Sequence, residues 1–269
     1  MVTWPDALQR VAAGQPNDLN LTRKLFPGFD RTPLVITGSA GAGKTRIWGR
    51  LTGKDPARKL SMATDDGYML RPNKRPMTLT TIPGQDDRGR YFAMEELFGQ
   101  YTQVGGVIFV ASNGYEHVWP KNAELVATNL RHYTVNALRQ WNKRKELSNL
   151  RDVCRRIGQK HVLAPAELRP RWLLVVVNKL DLYMSEVEKA ERYYLPGRVS
   201  PFNDVLGELQ SGLGTSNISC HFLPVAVEAS DYRFSSSRGT LSHPSTFQAD
   251  QCSASMLCLV ETLEALCGA

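Results

Sequence analysis

No CxxC pair occurs among the five cysteines, Cys154, Cys220, Cys252, Cys258 and Cys267. An odd, scattered set argues against a disulfide framework or a clustered zinc site and fits a reducing compartment. No apolar run reaches the roughly 18 residues that a membrane-spanning helix needs. The opening stretch, MVTWPDALQRVAAGQPND, has no long apolar core behind a basic head, so no signal peptide is read there. The end, EALCGA, has its cysteine third from the terminus and is not a prenylation box. Internal repeats are also missing. The expectation is a soluble cytoplasmic protein that touches a membrane at most peripherally.

What the chain does have is apolar material: 42% of its 269 residues are hydrophobic, enough for a sizeable core. The formal charge of +7 favours anionic partners but says nothing of fold. Residues 33–38 (PLVITG), 104–112 (VGGVIFVAS), 171–179 (RWLLVVVNK) and 220–228 (CHFLPVAVE) are apolar runs of strand length, the middle two rich in valine. YMLRP (68–72) and TLTTI (78–82) bracket Asn73, Lys74 and Arg75 like a hairpin. Helical patterns fall at 4–13, 90–102, 121–145, 146–160, 184–194, 201–213 and 253–267, and 235–251 reads as a long polar loop. Strands alternating with helices predict an α/β fold, a mainly parallel six-stranded sheet with helices on both faces.

Two short segments carry chemistry. GSAGAGKT (38–45) fits G-x-x-x-x-G-K-[ST] in full, directly after a predicted strand and before a helix. Gly38, Ser39, Ala40, Gly41, Ala42 and Gly43 would turn tightly enough for successive N–H groups to face a phosphate chain, at the positive end of the helix that runs on through Arg46. Lys44 would reach the β- and γ-phosphates, and Thr45 would offer its hydroxyl to Mg²⁺. NKLD (178–181) ends the strand WLLVVV, where parallel sheets gather ligands. A carboxylate there can accept from N1–H and the amino group of guanine, which adenine does not offer. Asp181 would take that role, Asn178 would brace the loop and the base, and the Lys179 stem would cover the ring face.

With these motifs in this order, the chain resembles the Ras-like P-loop GTPases over about residues 33–231. Its local text GQDDRGRYF, followed by VGGVIFVASNGYE, is more similar to the Arf and signal-recognition-particle-receptor beta branch. The resemblance implies a P-loop GTPase fold over 33–269, an N-terminal extension at 1–32, a basic helical insertion at about 119–170 and a C-terminal helix at about 253–267. It puts Gly84 of TTIPGQ on the γ-phosphate, Gln85 on the attacking water as the catalytic residue beside Lys44, and the second switch at 85–92. Thr64 would complete the Mg²⁺ shell, with Ser61 as the alternative. The backbone of Ala226, Val227 and Glu228 would back the base.

The departure is Thr81, which stands where the family has an acid that helps to hold Mg²⁺. Asp65, Asp66, Asp86 and Asp87 are candidates to replace it. Arg58, Arg88 and Arg90 are candidates for a cis arginine at the phosphates, each read otherwise as a solvated surface charge.

From Arg131 to Lys160 nine Lys or Arg face only Glu146 and Asp152, which reads as a long helix with a solvated basic face plus a second helix. The implied function is a GTP/GDP switch with Mg²⁺ that hydrolyses GTP slowly and with a partner's stimulation. The alternatives are a non-catalytic GTP-binding adapter or, from another class, a P-loop ATPase or kinase. The implied partner is a protein that contacts 58–66, 84–92 and the basic stretch 131–160. Nucleic acid is disfavoured, because no recognisable aromatic module accompanies the charge.

Overall fold

The computed structural model describes residues 1–14, 32–54, 65–69, 77–84 and 88–268, with the backbone alone at 65–68. Thr64, Ser61, Arg58, Gln85, Asp86 and Asp87 lie outside the described residues.

Side-chain alternation along the apolar runs decides the architecture. In β1 (Thr32–Gly38), β4 (Gly106–Ala111) and β5 (Trp172–Val177), successive residues enter opposite layers. Val35, Val107, Phe109, Leu173 and Val175 join one core, and Leu34, Ile36, Ile108, Val110, Leu174 and Val176 the other. Strands that are apolar on both faces are stable only when covered on both. The sheet has the order β2-β3-β1-β4-β5-β6, with β2 (Asp65–Met69), β3 (Met77–Thr81) and β6 (Ser219–Pro224) completing it. β3, β1, β4, β5 and β6 run parallel, and β2 pairs antiparallel with β3 at the edge, as a hairpin partner should. This is the mainly parallel α/β fold expected.

One layer is closed by α2 (Lys44–Thr52) and α9 (Ala249–Gly268), through Ile47, Leu51, Met256 and Leu259. The other is closed by α3 (Arg88–Phe98), α4 (Pro120–Asn129), α5 (Val135–Leu163) and α8 (Pro201–Leu213). Met94, Val126, Leu150, Ile157 and Phe202 are its buried contacts. Short helices α6 (Leu180–Tyr183) and α7 (Val187–Tyr194) follow β5. At the N-terminal end, α1 (Trp4–Ala13) starts at a Thr3–Asp6 capping box and packs on α9, where Arg10 pairs with Glu261 at 2.6 Å.

Three expectations are corrected. The insertion does not break near residue 145. α4 ends at Asn129, and Thr134 caps α5 by accepting from the Ala137 N–H at 3.2 Å, after which the helix runs unbroken for 29 residues. Arg139, Asn142 and Glu146 are buried on its inward face, so the apolar stripe is interrupted there although the helix is not.

Nor is the basic face wholly solvated. Arg139 bonds Glu186 at 3.2 Å, Arg156 pairs with Glu95, and the buried Lys160 ammonium donates to the carbonyls of Gly99 (2.5 Å) and Thr102 (2.6 Å).

The polar stretch 235–251 is not a loop. It holds most of a hairpin, β7 (Tyr232–Ser236) with β8 (Gly239–His243), and the first turn of α9. Tyr232 and Phe234 point inward while Arg233 and Ser235 point out, the period of a half-buried strand.

Candidate functional site

β1 ends at Gly38 and α2 starts at Lys44, so the phosphate-loop motif spans a strand-to-helix turn at the carboxyl end of the sheet. Gly43 holds φ at 102°, and a Cβ there would run into the Asn178 amide. That amide explains the close approach. Its Nδ2 donates to the Ala42 carbonyl at 2.9 Å, and its Oδ1 accepts from the Val227 N–H at 3.3 Å. One side chain thereby ties together the segments that follow β1, β5 and β6.

Lys44 is buried, and its ammonium donates to the carbonyls of Gly38 (2.9 Å) and Ser39 (2.8 Å). Burial, then the charge of Arg90, pushes it down to about 7. A Cβ on Gly84 would overlap the Lys44 ammonium and Ala40, so only glycine lets this backbone lie on the loop.

The NKLD turn is held as tightly. Lys179 sits in the left-handed region at φ 64°, and its ammonium donates to the Tyr115 carbonyl. Burial pushes it down to about 8. Asp181 is 1% exposed. Its Oδ2 accepts from the Ser230 N–H at 3.3 Å, and its Oδ1 has no hydrogen-bond partner among the described residues. Burial raises its pKa. The N–H groups of Ala226 and Val227 are both used inside the protein, the first by Ser255 Oγ at 2.8 Å and the second by Asn178. Arg46 and Glu228 form an exposed pair at 3.3 Å.

Several residues here carry no motif and were missed. The loop after β4 lies on the phosphate loop, with the His117 N–H donating to the Gly41 carbonyl at 3.1 Å. In that loop the Glu116 carboxyl is buried and pushed up to about 8, first by burial and then by Glu146, while Ser39 hydrogen-bonds it. Asn149 of α5 donates to Ser39 Oγ at 2.8 Å. The hairpin reaches in too. Tyr232 donates to the Glu116 carbonyl at 3.2 Å, and beyond β8 the N–H and hydroxyl of Thr246 donate to the Asp181 carbonyl at 3.1 and 2.8 Å. Lone residues such as Glu116 in NGYEH give no spacing signal.

Among the three candidate arginines, Arg88 is exposed as expected of a surface charge, but Arg90 is buried and donates from Nη1 to the Pro83 carbonyl at 3.1 Å.

Thr45 is half-buried in the first turn of α2, and Thr81 is buried at the end of β3, paired in the register with Asp65. Among the described residues no three His, Cys, Asp or Glu gather as a metal cluster. A donor set of hydroxyls fits a Mg²⁺ carried in by phosphate oxygens rather than one held by protein alone. No described helix is long and apolar enough to cross a membrane.

No family model and no curated protein matches this chain. Among solved structures, the mammalian SRP receptor is similar at 15% identity and a TM-score of 0.46, covering 87% of this chain and 99% of that one. The FeoB G-domain from Methanococcus jannaschii is similar at 12% identity and a TM-score of 0.44, covering 90% and 100%. At these scores the likeness carries nothing about ligand or activity, which rest on the residues of the site.

Proposed function

We propose that the chain is a guanine-nucleotide-binding switch that takes GTP or GDP with Mg²⁺ and hydrolyses GTP slowly. The observation behind this reading is the double hydrogen bond of Asn178, which locks the phosphate loop to the NKLD turn beside a buried carboxylate with one unpartnered oxygen. A phosphate cradle and a base acceptor at adjoining strand ends suit a nucleotide, and an anionic acceptor suits guanine.

In this reading the loop residues 38–43 and Lys44 hold the phosphates, with Arg46 at the rim. Gly84 meets the γ-phosphate, and Asp181 takes the base with Lys179 against its ring. The amides of Ala226 and Val227 support that loop from within, so a base-facing N–H comes from further along, at 228 or 229. Thr45 and Thr64 would hold Mg²⁺, which supplies charge neutralisation at the β- and γ-phosphates. Without a charge at Thr81, the ion is held weakly and turnover by Gln85 is slow. An acidic protein partner would meet the switch segments 58–66 and 84–92 and the exposed α5 residues Arg144, Lys145 and Arg151.

Nucleotide titration tests the base reading. GTP and GDP should bind and ATP should not compete. Asp181→Asn should weaken GTP by about 100-fold or more and favour xanthosine triphosphate, whose carbonyl can accept from the new amide. Equal binding of ATP would overturn it. Multiple-turnover phosphate release, lost in Lys44→Ala and impaired in Gln85→Ala, tests hydrolysis. Tight binding with no turnover favours the adapter reading, which the uncharged Thr81 already recommends.

A further inference from the structure

The phosphate loop and the base loop are tied together twice. The inner tie is the Asn178 amide, 1% exposed, which joins the Ala42 carbonyl to the Val227 N–H. The outer tie joins residues a little further along the same two segments, Arg46 in the first turn of α2 and Glu228 directly after Val227. Their side chains pair at 3.3 Å and are 55% and 45% exposed.

Both ends of the outer tie are firmly based. The Ile47 N–H donates to the Gly43 carbonyl at 3.0 Å, so Arg46 stands on a closed helical turn. The two residues before Glu228 give their N–H groups to Ser255 Oγ and the Asn178 amide. A cation in the first turn of a helix opposes the macrodipole, and α2 has no acid there to offset it. Glu228 supplies that negative charge from across the gap. It also acts on the base turn: burial lowers the Lys179 pKa, and the charges of Glu116, Asp181 and Glu228 work against that.

We propose that Arg46 and Glu228 form a latch on the solvent side of the nucleotide site, closing over a bound nucleotide between its base and its phosphates and slowing its release; this rests on the reading that the chain binds GTP. The two are positioning residues, and they serve the di- and triphosphate alike, because the base turn and the start of α2 serve both. An exposed pair adds little to the fold, but one that must break before the ligand leaves acts directly on the rate of departure.

A chase of tritiated GDP against excess unlabelled GDP measures release from the wild type, Arg46→Ala, Glu228→Ala and the double variant. Each single variant should release GDP about 2- to 5-fold faster, the effect of one exposed ion pair. The double variant should be no faster than the singles, because either change already opens the latch. A tritiated, non-hydrolysable GTP analogue should behave in the same way. If Glu228→Ala slows release instead, Glu228 only repels the phosphates while Arg46 grips them, and the latch is overturned. Additive effects or unchanged rates overturn it as well, leaving a solvated surface pair. If either alanine variant melts early, Arg46→Gln and Glu228→Gln decide by the same criterion. A wild type that binds neither nucleotide overturns the GTP reading itself, and this inference with it.

Discussion

Glu116 and Lys44 share a buried corner behind the phosphate loop, and their titrations run in opposite directions. The Glu116 carboxyl is raised from 4.5 to about 8, so the folded chain keeps a proton that the unfolded chain releases across that window. Stability therefore falls as pH rises from about 4.5 to about 8. Lys44 is lowered from 10.5 to about 7, so between those values the unfolded chain holds the extra proton and stability rises with pH. Glu116→Gln should make the first slope shallower, since the buried Glu146 and Asp181 are raised as well, and leave the second. Urea denaturation at about pH 5 and about pH 8 measures it, and a wild-type slope that survives the substitution refutes the assignment. Nothing in the sequence foretells this pair beyond Lys44, because a lone acid in NGYEH has no partner at a telling spacing. Asn178 was legible for the opposite reason: its motif is fixed, and one amide can satisfy both the Ala42 carbonyl and the Val227 N–H only at that strand end.

α5 behaves as a single rod about 43 Å long. Its inward face is polar where it meets the loop after β4. Asn142 donates to the Gly114 carbonyl at 2.8 Å, while Glu146 accepts from the Ser112 N–H at 2.9 Å and from the Tyr194 hydroxyl. Glu146→Ala would strand two buried donors and should cost about 3 kcal/mol. Arg151→Ala, on the exposed face, should stay within about 0.5 kcal/mol. Chemical denaturation of the two variants separates them, and similar losses would show that the inward ladder matters no more than the surface. The same ladder explains why sequence divided this helix in two. Apolar periodicity finds a helix by its greasy stripe, and Arg139, Asn142 and Glu146 occupy that stripe. The β7–β8 hairpin escaped for a related reason, since only Tyr232 and Phe234 mark its buried face and serines surround them.

The two cores meet in one sheet whose carboxyl ends gather the phosphate loop and the NKLD turn, so ligand and fold should be linked. Guanine nucleotide at about 100 times its Kd adds about 2.7 kcal/mol to stability and should raise Tm by about 5–10 °C. ATP should not, and chelation of Mg²⁺ should shrink the shift. Thermal melts with each nucleotide check this, and equal shifts with ATP would falsify the guanine preference. The parallel strands and the loop motif were readable because continuous valine-rich runs and a glycine octet need little tertiary context. The hairpin's grip on the site was not, because it depends on Thr246 reaching the Asp181 carbonyl and Tyr232 the Glu116 carbonyl across long separations. At its other end, the Arg238 guanidinium donates to the carbonyls of Ala127 (2.7 Å) and Leu130 (3.1 Å), while its backbone lies in the exposed turn. A protease that cuts after arginine thus has its substrate bond on the surface and its consequence in the interior. Trypsin nicking at Arg238 becomes a clock for how often this end of the hairpin lifts from α4.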